Sequence, residues 1–98
     1  GDLMRALGDT KQAERFYRDS LAIRERLAQA DPSDAGAQRD LSVSYERLGD
    51  LMRALGDTKQ AERHYRDQLA IAERAFGSDS SEAESIREKL RATDSDDT

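Results

Sequence analysis

Ninety-eight residues with 36% apolar and 38% charged side chains and a formal net charge of −5 suffice for one small domain with a thin core. They exclude a chain built to collect a phosphate backbone, and no apolar run is long enough to span a bilayer, so nucleic acid and membrane are set aside as partners. Cysteine is absent, which removes disulfides, thiolate metal sites and thiol nucleophiles together and suits a reducing, cytoplasmic setting.

A single Pro amid long stretches of Ala, Leu, Arg and Glu predicts an all-α chain. Its first element is incomplete. GDLMRALGDTKQAER at Gly1–Arg15 recurs unchanged at Gly49–Arg63, and at this offset of 48 the match continues, so that 23 of the 28 paired positions from Gly1 to Ala28 are identical. A period of this length marks an array in which each unit buries its apolar face only against its neighbours. In that register Gly1–Leu7 is the last half of a helix, Gly8 and Asp9 interrupt it, and a second helix runs over Lys11–Ala30. Phe16, Tyr17 and Leu21 are expected to stay partly wet. Self-association through this incomplete N-terminal repeat, or repeats upstream of it, is expected to cover them.

The full repeat spans residues 33–76. Ser33, after Pro32, is the expected N-cap, and Leu41, Tyr45, Leu48, Met52 and Leu55 then recur at spacings of 4, 3, 4 and 3, which draws one apolar stripe along a helix. Gly56 and Asp57 break the pattern. Asp57 or Thr58 can cap the next helix, with Gln60 three after Asp57 as in a capping box. That second helix, Lys59–Phe76, carries Ala61, Tyr65, Leu69, Ala72 and Phe76 on one face, and two long helices joined by so short a turn pack antiparallel. Beyond them, Ser81 and Glu84 have capping-box spacing, and Ala83, Ile86 and Leu90 stripe a shorter capping helix over 81–92. Residues 93–98 read as a disordered acidic tail.

Tyr45, Leu48, Gly49, Met52, Ala61 and Tyr65, with Gly1, Met4, Ala13 and Tyr17 in the partial copy, resemble the tetratricopeptide repeat. That pattern is an aromatic, two residues, Leu-Gly, two residues, Tyr, and later Ala, three residues and an aromatic. Met52 stands where the family has Tyr. A standard unit has roughly 34 residues, and the excess here divides into about seven on each side of Pro32. Each helix is then longer by about 10 Å with the same face turned inward, similar to the elongated repeats of kinesin-light-chain-like and bacterial arrays.

The resemblance implies a short right-handed α-solenoid of antiparallel helix-turn-helix units, forming a single domain over 1–92. It also implies a protein–protein interaction scaffold, not an enzyme, with no cofactor. The family's inward-facing positions fall on Asp2, Arg5, Val43, Glu46, Arg47, Asp50 and Arg53, a groove for a protein or peptide partner. A structural, self-associating module without a foreign ligand is the alternative. Glu46 and Asp50 form a like-charge i,i+4 pair where family members that clamp a terminal carboxylate have Lys and Asn, so a basic or mixed-charge segment suits the groove better. His64, the only His, has Phe16 as its twin and reads as a packing residue. Asp94, Asp96 and Asp97 lack the Gly and Glu of a calcium loop.

Overall fold

Single side chains and two glycines, Gly56 and Gly77, set the helix boundaries. In the computed structural model, which describes residues 2–96, these boundaries define α1 (Asp2–Ala30), α2 (Ala35–Ala54), α3 (Thr58–Phe76) and α4 (Ser81–Asp96). The Asp34 carboxylate accepts from the Ala37 N–H at 3.1 Å and caps α2, while Ser33, expected in that role, turns back to Asp31. At the far end Gly56 adopts φ +83°. Its N–H donates to the Arg53 carbonyl at 3.0 Å and the Asp57 N–H to that of Met52 at 2.9 Å, the paired bonds of a Schellman turn, which a left-handed glycine permits at little cost. Asp57 then caps α3 by accepting from the Gln60 N–H at 3.1 Å. The cap of α4 is Ser80, whose hydroxyl accepts from the Ala83 N–H; it precedes the expected Ser81 by one residue.

Each helix packs on the next. Met52 from α2, Ala61, Tyr65 and Ala72 from α3 and Ile86 from α4 form one core, flanked by Leu69, Phe76 and Leu90. Ala28, Leu41 and Ile71, flanked by Leu21, Ala37 and Tyr45, form a second core where α1, α2 and α3 meet. Leu48 and Tyr65 are fully buried, each contributing about 1.5 to 3 kcal/mol of transfer free energy. Gly49 makes this possible, because a Cβ there would stand 2.7 Å from Tyr65 Cδ1. The missing side chain is what lets the tyrosine ring lie across α2.

Two expectations are corrected. The helix does not break at Gly8 and Asp9: α1 runs unbroken through both. The same fifteen residues therefore turn at Gly56 and continue straight at Gly8. Ahead of Gly56 lies a whole amphipathic helix, whose Leu41, Leu48 and Met52 are buried only if the chain folds back. Ahead of Gly8, Leu3, Met4 and Leu7 are all exposed, so no buried apolar face holds a turn there and the helix propagates. Met4 is 74% exposed and its twin Met52 only 4%.

The second correction concerns the tail, since α4 extends to Asp96 instead of ending near residue 92. Thr93 is fully buried, and its hydroxyl donates to the Lys89 carbonyl at 2.8 Å, which anchors the last turns. Asp97 and Thr98, the end of the expected tail, lie outside the described residues.

Candidate functional site

The seven groove positions separate into three groups. Val43 and Arg47, one turn apart on α2, face α1, where Phe16, Tyr17, Ser20 and Arg24 line a cavity of about 180 Å³ with them. A neighbouring cavity of about 510 Å³ takes in Leu27, Ala37 and Asp40 and shares Arg24 and Asp40 with the first. Together they form one cleft along the α1–α2 seam. Phe16 at 63%, Leu27 at 60% and Val43 at 40% exposure are its apolar points. The Arg24–Asp40 ion pair, at 3.3 Å, crosses it nearer the Leu27 end. From Phe16 to Leu27 the cleft runs about 16 Å along the helix axis.

Glu46 and Asp50 belong to a different surface. Lys89 of α4 reaches both carboxylates, at 3.5 Å to Glu46 and 3.1 Å to Asp50, and its ammonium lies 5.5 Å from the centre of the Tyr65 ring. Gln68 donates to Glu46 at 3.0 Å, and the Tyr65 hydroxyl donates to Asp50. Burial, together with that bond to a carboxylate, raises the Tyr65 pKa above the ordinary phenol value. Arg53 adjoins the same cluster through Tyr65. The like-charge pair that seemed to ask for a basic partner is thus compensated from within the chain.

Asp2 and Arg5 form the third group. With Arg24 level with Asp40 in an antiparallel pair, the last turn of α2 falls beside about residue 10 of α1. The straight α1 carries Arg5, which is exposed, and the Asp2 backbone beyond the end of α2. A bend at Gly8 was the condition for adding them to the α2 surface.

Sequence reasoning missed Lys89 and the cleft. Lys89 had a signal: it falls on Leu41 at the 48-residue offset, a cation at an apolar position, one helix away from two carboxylates. The aromatic wall of the cleft was signalled only as exposure of Phe16 and Tyr17, because their place beside Val43 and Arg47 depends on which face of α1 meets α2.

His64 is buried against the Tyr45 ring, with centroids 6.4 Å apart. Among the described residues neither ring nitrogen has a hydrogen-bond partner. Burial, then the Arg18 charge, lowers its pKa below the usual imidazole value. The Tyr45 hydroxyl donates to Glu25 at 2.6 Å, beside a cavity of about 410 Å³ lined by Leu41, Ile71 and Arg74 among others. An Arg39 guanidinium over Phe76, and its register twin Arg87 bonded to Glu73 and the Ser78 carbonyl, tie the ends of the helix pairs together.

This chain of packed helices, with Gly49 under the Tyr65 ring where α2 meets α3, is matched by the family profile described as tetratricopeptide repeat over residues 1–34 and 41–82. The chain belongs to the tetratricopeptide repeat family. No curated protein and no solved structure matches it. The first matched stretch takes in α1, and the second most of α2 and all of α3. Tetratricopeptide repeats in general mediate protein–protein interaction as non-enzymatic scaffolds, and the α1–α2 cleft and the α2–α4 ionic cluster are surfaces such a unit offers.

Proposed function

We propose that this tetratricopeptide module binds an amphipathic helix or short peptide of mixed charge along the α1–α2 seam. The observation that carries the reading is the continuous cleft in which Phe16, Leu27 and Val43 stand exposed on either side of the Arg24–Asp40 pair. A rigid groove with apolar points set off by charges recognises a helix through residues spaced at i, i+3 or i+4 and i+7, and being preformed it spends little on ordering itself. Arg47 at one end and the Arg24–Asp40 pair nearer the other favour a ligand carrying an acidic residue beside Arg47 and charges of both signs beside the pair.

The test is a selection from a displayed library of amphipathic peptides, followed by affinity measurement on the isolated chain. Val43→Glu places an unpaired charge at an apolar contact and is expected to weaken the selected peptides at least tenfold, while Glu88→Gln on the exposed face of α4 leaves them unchanged. Equal affinity in the two variants contradicts the reading.

A second reading, a structural module that self-associates, is favoured by the further exposed apolar residues of α1, Leu3, Met4, Leu7 and Ile23. Under it the α1 faces of two copies cover one another. Concentration-dependent dimerisation abolished by Met4→Glu with Ile23→Glu supports it, and a monomer at all concentrations contradicts it.

A further inference from the structure

We propose that the α2–α3 turn is an exchange hinge: Gly56 and Asp57 can straighten as Gly8 and Asp9 do in α1, so that α2 and α3 become one helix and two copies of the chain trade their α3–α4 halves. The fifteen residues Gly1–Arg15 and Gly49–Arg63 are identical, yet Asp2–Arg15 lies within one continuous helix while Gly49–Arg63 is helix, turn and helix. Both conformations are therefore open to this sequence, and only packing chooses between them.

Straightening costs no backbone hydrogen bonds. In the turn, the N–H groups of Gly56 and Asp57 bond to Arg53 and Met52; in a continuous helix they bond four residues back, as their twins do inside α1. Nothing lies within 4 Å of a Cβ built on Gly56 or on Gly8, so no neighbour blocks the change. Straightening does give up one local feature of the turn, the Asp57 cap on Gln60, which a continuous helix replaces with a bond from the Gln60 N–H to the Gly56 carbonyl.

An opened chain alone would expose Leu48, Met52, Ala61 and Tyr65, all buried in the closed form. The one surface that fits them is the same surface of another opened copy. In the exchanged pair each α2 rests on its partner's α3, so Gly49 still admits a Tyr65 ring and Asp50 still receives a tyrosine hydroxyl, now between chains. The two hinges cross near the centre of the pair. Leu55, half exposed at the turn, lies there with Leu51 and gains apolar contact that the monomer denies it. The joined helix spans residues 35–76, about 63 Å.

The test uses the full chain and two hinge variants. Gly56→Ala penalises the left-handed turn and favours the straight helix, together on the order of 30-fold per hinge and about 1,000-fold for a pair with two hinges. Thr58→Pro removes the N–H that a straight helix needs there, while tolerating the first helical position of α3. Light scattering after size exclusion, from 10 μM to 1 mM, is expected to show a dimer enriched by Gly56→Ala and suppressed by Thr58→Pro, with helicity by circular dichroism retained in both.

Spin labels at Arg47 and Asp67 of one chain, diluted into unlabelled dimer, distinguish exchange from docking. An exchanged chain gives an intrachain separation of about 30 Å, whereas a closed hairpin gives a markedly shorter one. A dimer whose chains keep the short distance overturns the proposal. So does a Gly56→Ala chain that stays monomeric or loses its helices, since the straight form favours alanine.

Discussion

The same substitution made in the two copies of the repeated segment should act with opposite sign. Gly8 sits within α1, exposed and without neighbours to crowd a methyl group. Alanine there removes the conformational entropy penalty of a helical glycine, about 0.8 to 1 kcal/mol. Gly56 has φ +83°, where an L-side chain costs roughly 1 to 2 kcal/mol. The open space around its Cβ position adds no steric term.

Gly56→Ala should therefore lower the unfolding free energy by about 1 to 2 kcal/mol, read as a lower urea midpoint at unchanged slope, at low micromolar concentration where exchange is suppressed. Gly8→Ala should stabilise. Because the N-terminal turns of α1 lack long-range partners, the gain appears mainly as slower amide exchange over residues 6–13 and only in part as a midpoint shift. Two substitutions that destabilise equally would refute the reasoning, for they would place Gly8 in a turn like that at Gly56.

Other consequences concern single contacts. Gly49→Ala should cost about 1 to 3 kcal/mol by forcing the Tyr65 ring out of its place, visible as a lost near-ultraviolet tyrosine signal and a lower midpoint. Lys89→Glu should destabilise by about 1 to 2 kcal/mol, since it sets a third carboxylate beside Glu46 and Asp50 where the pair is only partly screened; amide exchange at Leu90 and Thr93 should accelerate, and no acceleration would count against the ionic cluster.

His64 gives a pH dependence of known sign. Burial and Arg18, with Arg63, hold the imidazole neutral against the opposing Asp67 and Asp57, so the unfolded chain binds the extra proton first. Stability is complete above about pH 6.5 and falls as pH drops through that value. His64→Phe, which copies the residue at position 16, should flatten this slope and raise stability near neutrality by about 1 kcal/mol by removing two unpartnered nitrogens.

The complete repeat was legible from the residues because its signals are local and mutually consistent. The stripe Leu41, Tyr45, Leu48 and Met52, the Gly56–Asp57 stop and the stripe from Ala61 to Phe76 each name one helix face or boundary where the structure has them, with α2 and α3 ending within a residue or two of their expected limits, whereas Leu55, the last residue of the first stripe, stands half exposed at the turn. The partial copy was misread for the reverse reason. Identical residues implied an identical turn, but a Schellman turn stores little energy of its own and is kept by the helix that folds back across it. Thr93 was taken for tail because nothing in TDSDDT is apolar, whereas its burial comes from standing at the Tyr45 position of the register. The seven groove positions rest on the family resemblance, and only the placement of α1 and α4 divides Val43 and Arg47 from Glu46 and Asp50.

The most direct measurement is a titration of the isotope-labelled chain with a selected peptide, tracked through backbone and methyl resonances. The account predicts that the largest shifts fall on Phe16, Tyr17, Leu27, Val43 and Arg47, with α4 scarcely affected. Shifts concentrated on Glu46, Asp50 and Lys89, or on the outer face of α4, would contradict it.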